Sequence, residues 1–325
     1  MLSNAVSADS LRLVSHNVGS GDCTSIQTNN SIILIDVGPA GFNNLVPWLE
    51  RQPRPVTDIF ITHNHEDHVG GLPAILKSRV VSGLKRVWTL THPEVEKEHV
   101  KLFFNNLEKL HASRRVIWMP LIKSPPFQPL TVWTQGQYRL DLVYPEYSRV
   151  SIPGSVNNTG AILQLSNQDR ALMIWAGDNM LAVVSANTER VKWLLLPHHG
   201  HPDDHAETAA QLAVVALVEQ QIQVSVGQKY PKHPSKALIR AFTRDGRRCF
   251  CTQLKNGCTK QHRKTGFQGL VSDGPALLLP ADPSTKFCRG TRALTLLGDV
   301  LTPVLPGNDS KHAQLVGKFI NRACR

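Results

Sequence analysis

The pattern His63-x-His65-x-Asp67-His68 packs three imidazoles and a carboxylate into six residues, and few folds present such a run. It follows Val56 to Thr62, an apolar stretch that reads as a strand. On a loop leaving a strand, alternate side chains such as His63 and His65 share one face. Asp67 and His68, one turn further on, are placed to address a second ion nearby. Imidazole and carboxylate suit zinc, with manganese or iron as alternatives for such nitrogen and oxygen donors. A solvated polar turn would account for one isolated histidine, but not for this spacing. Two divalent metal ions are therefore expected.

Two later stretches fit the same reading. Trp175-Ala176-Gly177-Asp178 ends a predicted strand with an acid, where a carboxylate is placed to bridge two ions. Leu194 to Pro197 leads into His198-His199-Gly200-His201 at the end of the next strand. All three segments sit at C-terminal ends of predicted strands, where open α/β sheets build their sites.

Length alone, 325 residues, suggests about two domains of ~150 residues. The pattern argues for one. A hairpin is predicted around the Asn29-Asn30 turn, with Ser31 to Ile35 buried on both faces. Helices are predicted over 42–50, Leu72 to Lys77, near Thr188, over Glu207 to Leu217, and from an N-capping Ser235 to Gly246. Val100, Phe103, Phe104 and Leu107 mark another at i, i+3, i+4, i+7. Strands are expected at Lys85 to Leu90, Val116 to Met119, Leu140 to Val143, Gly160 to Leu165, Ala171 to Trp175, Trp193 to Leu196 and Gln223 to Val226. Alternation of this kind predicts a single α/β sandwich over residues 1–280. Residues 281–325, Pro-interrupted and basic, are treated as a C-terminal extension.

The order of motifs is similar to that of the metallo-β-lactamase superfamily, and within it resembles the hydrolase domain of ComEC-type competence proteins. The matching residues are Val18-Gly-Ser-Gly-Asp22, Leu34-Ile-Asp36-Val-Gly38 and Thr62 through Leu72. They continue with Asn157-Asn158, Gly177-Asp178, Pro197 to Gly200, Ser225-Val-Gly227 and His233-Pro-Ser235. The resemblance covers about residues 11–278 and implies an αββα sandwich. It also implies His63 and His65 on one ion, Asp67 and His68 on the other, Asp178 bridging and His199 as the late ligand. His198 and His233 would contact substrate, protonate a leaving group or ligate, which makes them, with Asp67, the candidate catalytic residues. Asp36 would hold a ligand imidazole in its tautomer. Asn157 stands where many members carry a further histidine, which leaves one ion a ligand short. His201 stands where serine is usual. His92, His99 and His111 fit no motif and read as surface histidines.

Two such ions lower the pKa of bound water from ~16 towards ~7, so a metal-bound hydroxide is the expected nucleophile. The substrate is argued from charge. The net charge is +11, and residues 229–268 carry eleven Lys/Arg against Asp245 alone. Lys236, Arg240, Arg244 and Arg247 are expected to form one stripe on the helix from Ser235, with Lys232 beside it. Like charges at i, i+4 repel by a few tenths of a kcal/mol unless an anion answers them. Nucleic acid or another phosphodiester is the expected partner, which makes the chain a nuclease or phosphodiesterase. The alternatives are a carboxyl-ester, thioester or lactam hydrolase, for which the stripe has no purpose, and a nucleic-acid-binding module with little activity. A protein partner is left open.

Met1 to Ser10 show no secretory-signal pattern and no apolar run reaches ~18 residues, so a cytoplasmic location is expected. The six cysteines are then expected to stay reduced. Cys249, Cys251, Cys258 and His262 fit no common zinc finger, and Cys249 and Cys251 are read as pointing to opposite strand faces.

Overall fold

In the computed structural model, the described residues are 11–41, 45–90, 98–121, 129–144, 160–168, 170–201, 208–225, 227, 232–244, 246–252, 292–297 and 300–303. The first strands are β1 (Leu11–Ser15), β2 (Thr24–Gln27), β3 (Ile32–Ile35), β4 (Val56–Phe60), β5 (Arg86–Thr89) and β6 (Ile117–Pro120). They are followed by β7 (Leu130–Gln135), β8 (Tyr138–Tyr144), β9 (Ile162–Asn167), β10 (Arg170–Trp175), β11 (Val191–Leu195), β12 (Val218–Val224) and β13 (Arg248–Cys251). The last are β14 (Arg292–Leu297) and β15 (Val300–Pro303). One sheet runs β15-β14-β1-β2-β3-β4-β5-β6 and the other β13-β12-β11-β10-β9-β8-β7. Of the C-terminal extension, the described part is thus two strands that continue the first sheet beyond β1, with Leu11 opposite Leu296.

β3 shows why the sheets pair face to face. Ile33 and Ile35 point into the core between the sheets, alongside Leu13, Ile26, Leu140, Leu163 and Trp193. Ile32 and Leu34 point the other way, towards helices. Burying each such side chain contributes about 1.5–3 kcal/mol, so a strand apolar on both faces must lie in the middle of the stack. The β2–β3 hairpin is closed as expected: Thr28 Oγ1 accepts from the N–H groups of Asn30 and Ser31 at 3.1 and 2.9 Å.

Helices α1 (Leu45–Glu50), α2 (Glu66–Val69), α3 (Leu72–Lys77) and α4 (Glu98–Ala112) follow the strands of the first half. Trp48, Ile75, Leu76 and Leu107 cover the first sheet. Helices α5 (Leu181–Asn187), α6 (Thr208–Leu217) and α7 (Lys236–Thr243) lie on the second, through Val184, Val214, Leu238, Ile239 and Phe242. The four layers are αββα, the metallo-β-lactamase fold. Among the described residues no helix is long and apolar enough to cross a membrane.

Several boundaries differ from expectation for local reasons. The helix expected near Thr188 stops before it, because Thr188 Oγ1 donates to the Val184 carbonyl and the backbone turns extended. β12 starts at Val218, directly after α6, five residues before the expected Gln223. α7 ends at Thr243, and Gly246 at φ +79° turns the chain into β13. Cys249 and Cys251 do not point to opposite faces: residues i and i+2 of a strand share a face, and their Sγ atoms lie 3.8 Å apart. Cys251 is disulfide-bonded, which departs from the reduced state expected of all six, while Cys249 and Cys23 are free thiols. Cys258 and His262 lie outside the described residues.

Candidate metal centre

The parallel runs β3-β4-β5-β6 and β10-β11-β12-β13 direct their C-terminal ends to one mouth of the sandwich. Asp36 follows β3, the histidine run follows β4, Asp178 follows β10 and His198-His199 follow β11. Asp178 sits at the centre. Its Oδ2 lies 3.3 Å from His63 Nε2 and 3.4 Å from His65 Nδ1. Its Oδ1 lies 3.0 Å from His68 Nε2 and 3.9 Å from His199 Nε2. His199 Nε2 also faces Asp67 Oδ2 at 3.3 Å. His63, Asp67, His68, Asp178 and His199 are buried, and His65 is partly exposed.

The supports around these groups are specific. Asp36, at φ +54°, receives the Thr62 N–H and the Thr62 hydroxyl, each at 2.8 Å, which ties the end of β3 to the end of β4. Its Oδ2 is 2.8 Å from His68 Nδ1, so the orienting role expected for Asp36 has its geometry. Asp22 takes the corresponding place beside His199, at ion-pair distance and not in the close hydrogen bond that Asp36 makes: its Oδ1 lies 3.4 Å from His199 Nδ1. In the sequence, Asp22 stands only as the last residue of the Val18-Gly-Ser-Gly-Asp22 stretch, with no role of its own. The sole signal was its place in the Gly19-Ser20-Gly21-Asp22 motif.

Backbone conformation fixes the late segment. His198 and His199 both adopt left-handed conformations, φ 49° and 52°, a sparsely populated region that surrounding structure must enforce. Gly177, at φ +53°, precedes Asp178, and a Cβ there would meet Thr62 Oγ1 at 2.7 Å and His63 Nδ1 at 3.1 Å. Gly177→Ala is expected to cost about 1–3 kcal/mol and to displace Asp178. A thermal melt run beside metal analysis checks both; an unchanged melt would show that the turn adapts.

Electrostatics match the donor set to cations. Burial raises the Asp178 carboxyl, but His68 and His63 outweigh that and hold it well below the usual range. Burial works against charge on His68 and His199, yet Asp178 with Asp36, and Asp22 with Asp67, raise them well above an ordinary histidine. His63 is pushed down, first by burial and then by His68. Its Nε2 is buried, makes no hydrogen bond among the described residues and faces a carboxylate oxygen. Among the described residues, four groupings of ligand atoms each lie within 4.8 Å of one another: His63 with His68 and Asp178, Asp67 with His68 and His199, His65 with Asp67 and Asp178, and Asp22 with Asp36 and His68. Divalent ions fit such a set.

His198 and His233 line the mouth. His198 Nε2 is 3.9 Å from Asp178 Oδ2, and the His233 ring stands 5.6 Å from that of His198. Burial, and for His233 also His199 and His201, pushes them down to about 4 and about 3, so both are neutral at pH 7. His201, the departure noted in the sequence, stacks on His198 at 4.5 Å and meets His233 edge-on at 4.5 Å.

Not every expected residue joins this site. Asn157 and His92 lie outside the described residues, and so does the His99 side chain. His111 is exposed, on α4, and accepts the Trp118 N–H at 3.0 Å. Lys232, Lys236, Arg240 and Arg244 are exposed. Arg247 is not part of their stripe: it follows the end of α7, is only partly exposed, and its Nε donates to the Val218 carbonyl at the start of β12. That is the end of the sheet away from the metal centre.

Comparison with known proteins agrees with the fold. The pattern of the metallo-beta-lactamase superfamily matches residues 16–125, a stretch holding Asp22, Asp36 and the whole histidine run. A ribonuclease Z of Limosilactobacillus reuteri is 38% identical over 85 residues, which is 26% of this chain and 27% of that protein. A probable RNase, MJ4, of Methanocaldococcus jannaschii is 28% identical over 167 residues, 48% of this chain and 35% of that one. The chain thus matches about a quarter to a third of the length of these relatives. Among solved structures, Igni18, a metallo hydrolase from Ignicoccus hospitalis, superimposes with a TM-score of 0.46 at 17% identity, covering 77% of this chain and 97% of that one.

Proposed function

We propose that this chain is a metal-dependent hydrolase of phosphodiesters, with nucleic acid as its substrate. The observation that carries the reading is the division of Asp178: one carboxylate oxygen faces His63 and His65, the other His68 and His199. Two ions, with zinc proposed, would be held by His63 and His65 on one side and by Asp67, His68 and His199 on the other. Bound there, they supply Lewis acidity and a nucleophile at neutral pH. Asp36 and Asp22 keep the Nδ1 atoms of His68 and His199 turned towards carboxylates, which leaves each Nε2 for the ion. His198, His201 and His233 wall the mouth where a leaving group would depart. As neutral imidazoles, His198 and His233 serve to accept or relay a proton.

The substrate half rests on α7, which starts beside His233 and carries Lys236 and Arg240 outward, with Arg244 at its C-cap and Lys232 before it. A neutral ester or lactam offers these cations no counter-charge. The ribonuclease relatives favour the same bond. Binding of a single-stranded oligonucleotide is expected to weaken with salt, with a slope of about −0.7 per phosphate contacted. Lys236→Ala and Arg240→Ala should each flatten that slope by about one contact and leave bound metal unchanged. A salt-independent affinity, or cleavage that survives chelation of the metals, would overturn the reading.

A further inference from the structure

At the end of the sandwich away from the metal centre, a cleft of about 480 Å³ opens between the sheets. That volume lies within the range of small-molecule sites. Asp58 of β4 lines it, five residues before His63, which is about 16 Å along an extended strand. Arg86, Lys85, Ser31, Thr131 and Thr134 line it as well.

Arg86 is built into this cleft rather than laid over it. Its Nε donates to Asp58 Oδ1 at 2.5 Å, and Asp58 is 1% exposed. Trp88 Nε1 donates to the same oxygen at 3.4 Å, and its ring lies under the guanidinium at 5.7 Å. Among the described residues, the contacts of Arg86 use Nε and the guanidinium face, and none uses the two terminal NH2 groups. A guanidinium held in this way presents its remaining N–H donors as a fixed fork, the geometry that suits a two-pronged oxyanion. Lys85, exposed beside it, gives the lining two cations against one carboxylate.

We propose that this cleft binds the phosphate group of a small phosphorylated ligand, at a site separate from the metal centre. Arg86, its charge balanced by Asp58, would clasp two phosphate oxygens, Lys85 would supply the lining's net positive charge, and the exposed Thr131 and Thr134 would face the rest of the ligand. The site does not depend on the proposed hydrolysis, and either can fail alone.

The test is calorimetric titration of the full-length, metal-loaded protein with inorganic phosphate, comparing wild type with Lys85→Gln and Arg86→Lys. Phosphate held at the metal centre should persist in all three and act as the internal reference. A second class of binding is expected in the wild type and should weaken about tenfold in each variant, the loss typical of a charged hydrogen bond. Oligonucleotide cleavage should stay unchanged in Lys85→Gln. Should Arg86→Lys fail to fold because Asp58 loses its partner, Lys85→Gln decides alone. Phosphate binding in the variants equal to wild type would overturn the proposal. So would a single-stranded oligonucleotide that competes for this class, since that would assign the phosphate to a polymer backbone.

Discussion

On the proposed two-ion centre, Asp178→Ala should release both metal ions and lower the proposed metal-dependent cleavage by on the order of 10³-fold or more. Among the described residues, no other side chain in the centre contributes to both halves in the same way. His63 and His65 meet its Oδ2, and His68 and His199 meet its Oδ1. Losing one of those imidazoles would remove one ligand; losing the carboxylate removes a ligand from each ion and the negative charge between them. Loss of metal then also leaves His68 facing His63 at 4.1 Å between ring centres with one of its counter-charges gone and Asp36 remaining. Taking one partner from a buried ion pair costs about 3–5 kcal/mol, so the melting temperature should fall as well. Elemental analysis with a melt and an activity assay separates the cases. A folded variant that keeps two equivalents of metal would show that Asp178 does not bridge.

The histidine run, Asp178 and His199 were legible because each ends an apolar strand, and strand ends of parallel sheets converge. The sequence pattern carries that directly. Asp22 was not legible as an orienting group, because its partner His199 stands 177 positions away and no local period links them. Arg247 was placed on the helix stripe by spacing alone. Spacing holds only while the helix continues, and this one ends at Thr243. The left-handed pair His198-His199 was equally hidden, since neither residue type demands that conformation and only the surrounding packing imposes it. β7 escaped notice because it lacks a clean alternation, with Val132 and Trp133 buried side by side. The sequence therefore shows chemistry where ligands are adjacent, and loses it where one residue orients another across the fold.

Asp36→Asn tests that second kind of residue, and its expected effect is loss of metal without loss of fold. Asparagine tolerates φ above zero, so the conformation at +54° can persist. Its side-chain carbonyl still accepts the Thr62 N–H, which Asp36 receives at 2.8 Å through Oδ1. The second oxygen is where the exchange matters. Asp36 Oδ2 lies 2.8 Å from His68 Nδ1 and accepts a hydrogen bond from its N–H, which keeps the proton on Nδ1 and leaves the Nε2 lone pair for an ion. An NH2 group at that point must donate instead, to a lone pair on Nδ1, and the imidazole proton then moves to Nε2. A protonated Nε2 cannot ligate, so metal binding has to force the donor pair into conflict. Metal affinity should drop about 10–100-fold, the usual scale for a residue that orients a ligand. Asp36→Ala should lose comparable affinity and in addition destabilise the fold, because the Thr62 N–H and hydroxyl are both left without their acceptor, at about 1–3 kcal/mol each. Titrating the metal-stripped variants with zinc, next to their melts without metal, distinguishes tautomer control from simple support. If Asp36→Asn binds zinc as tightly as wild type, Asp36 serves only to join β3 to β4.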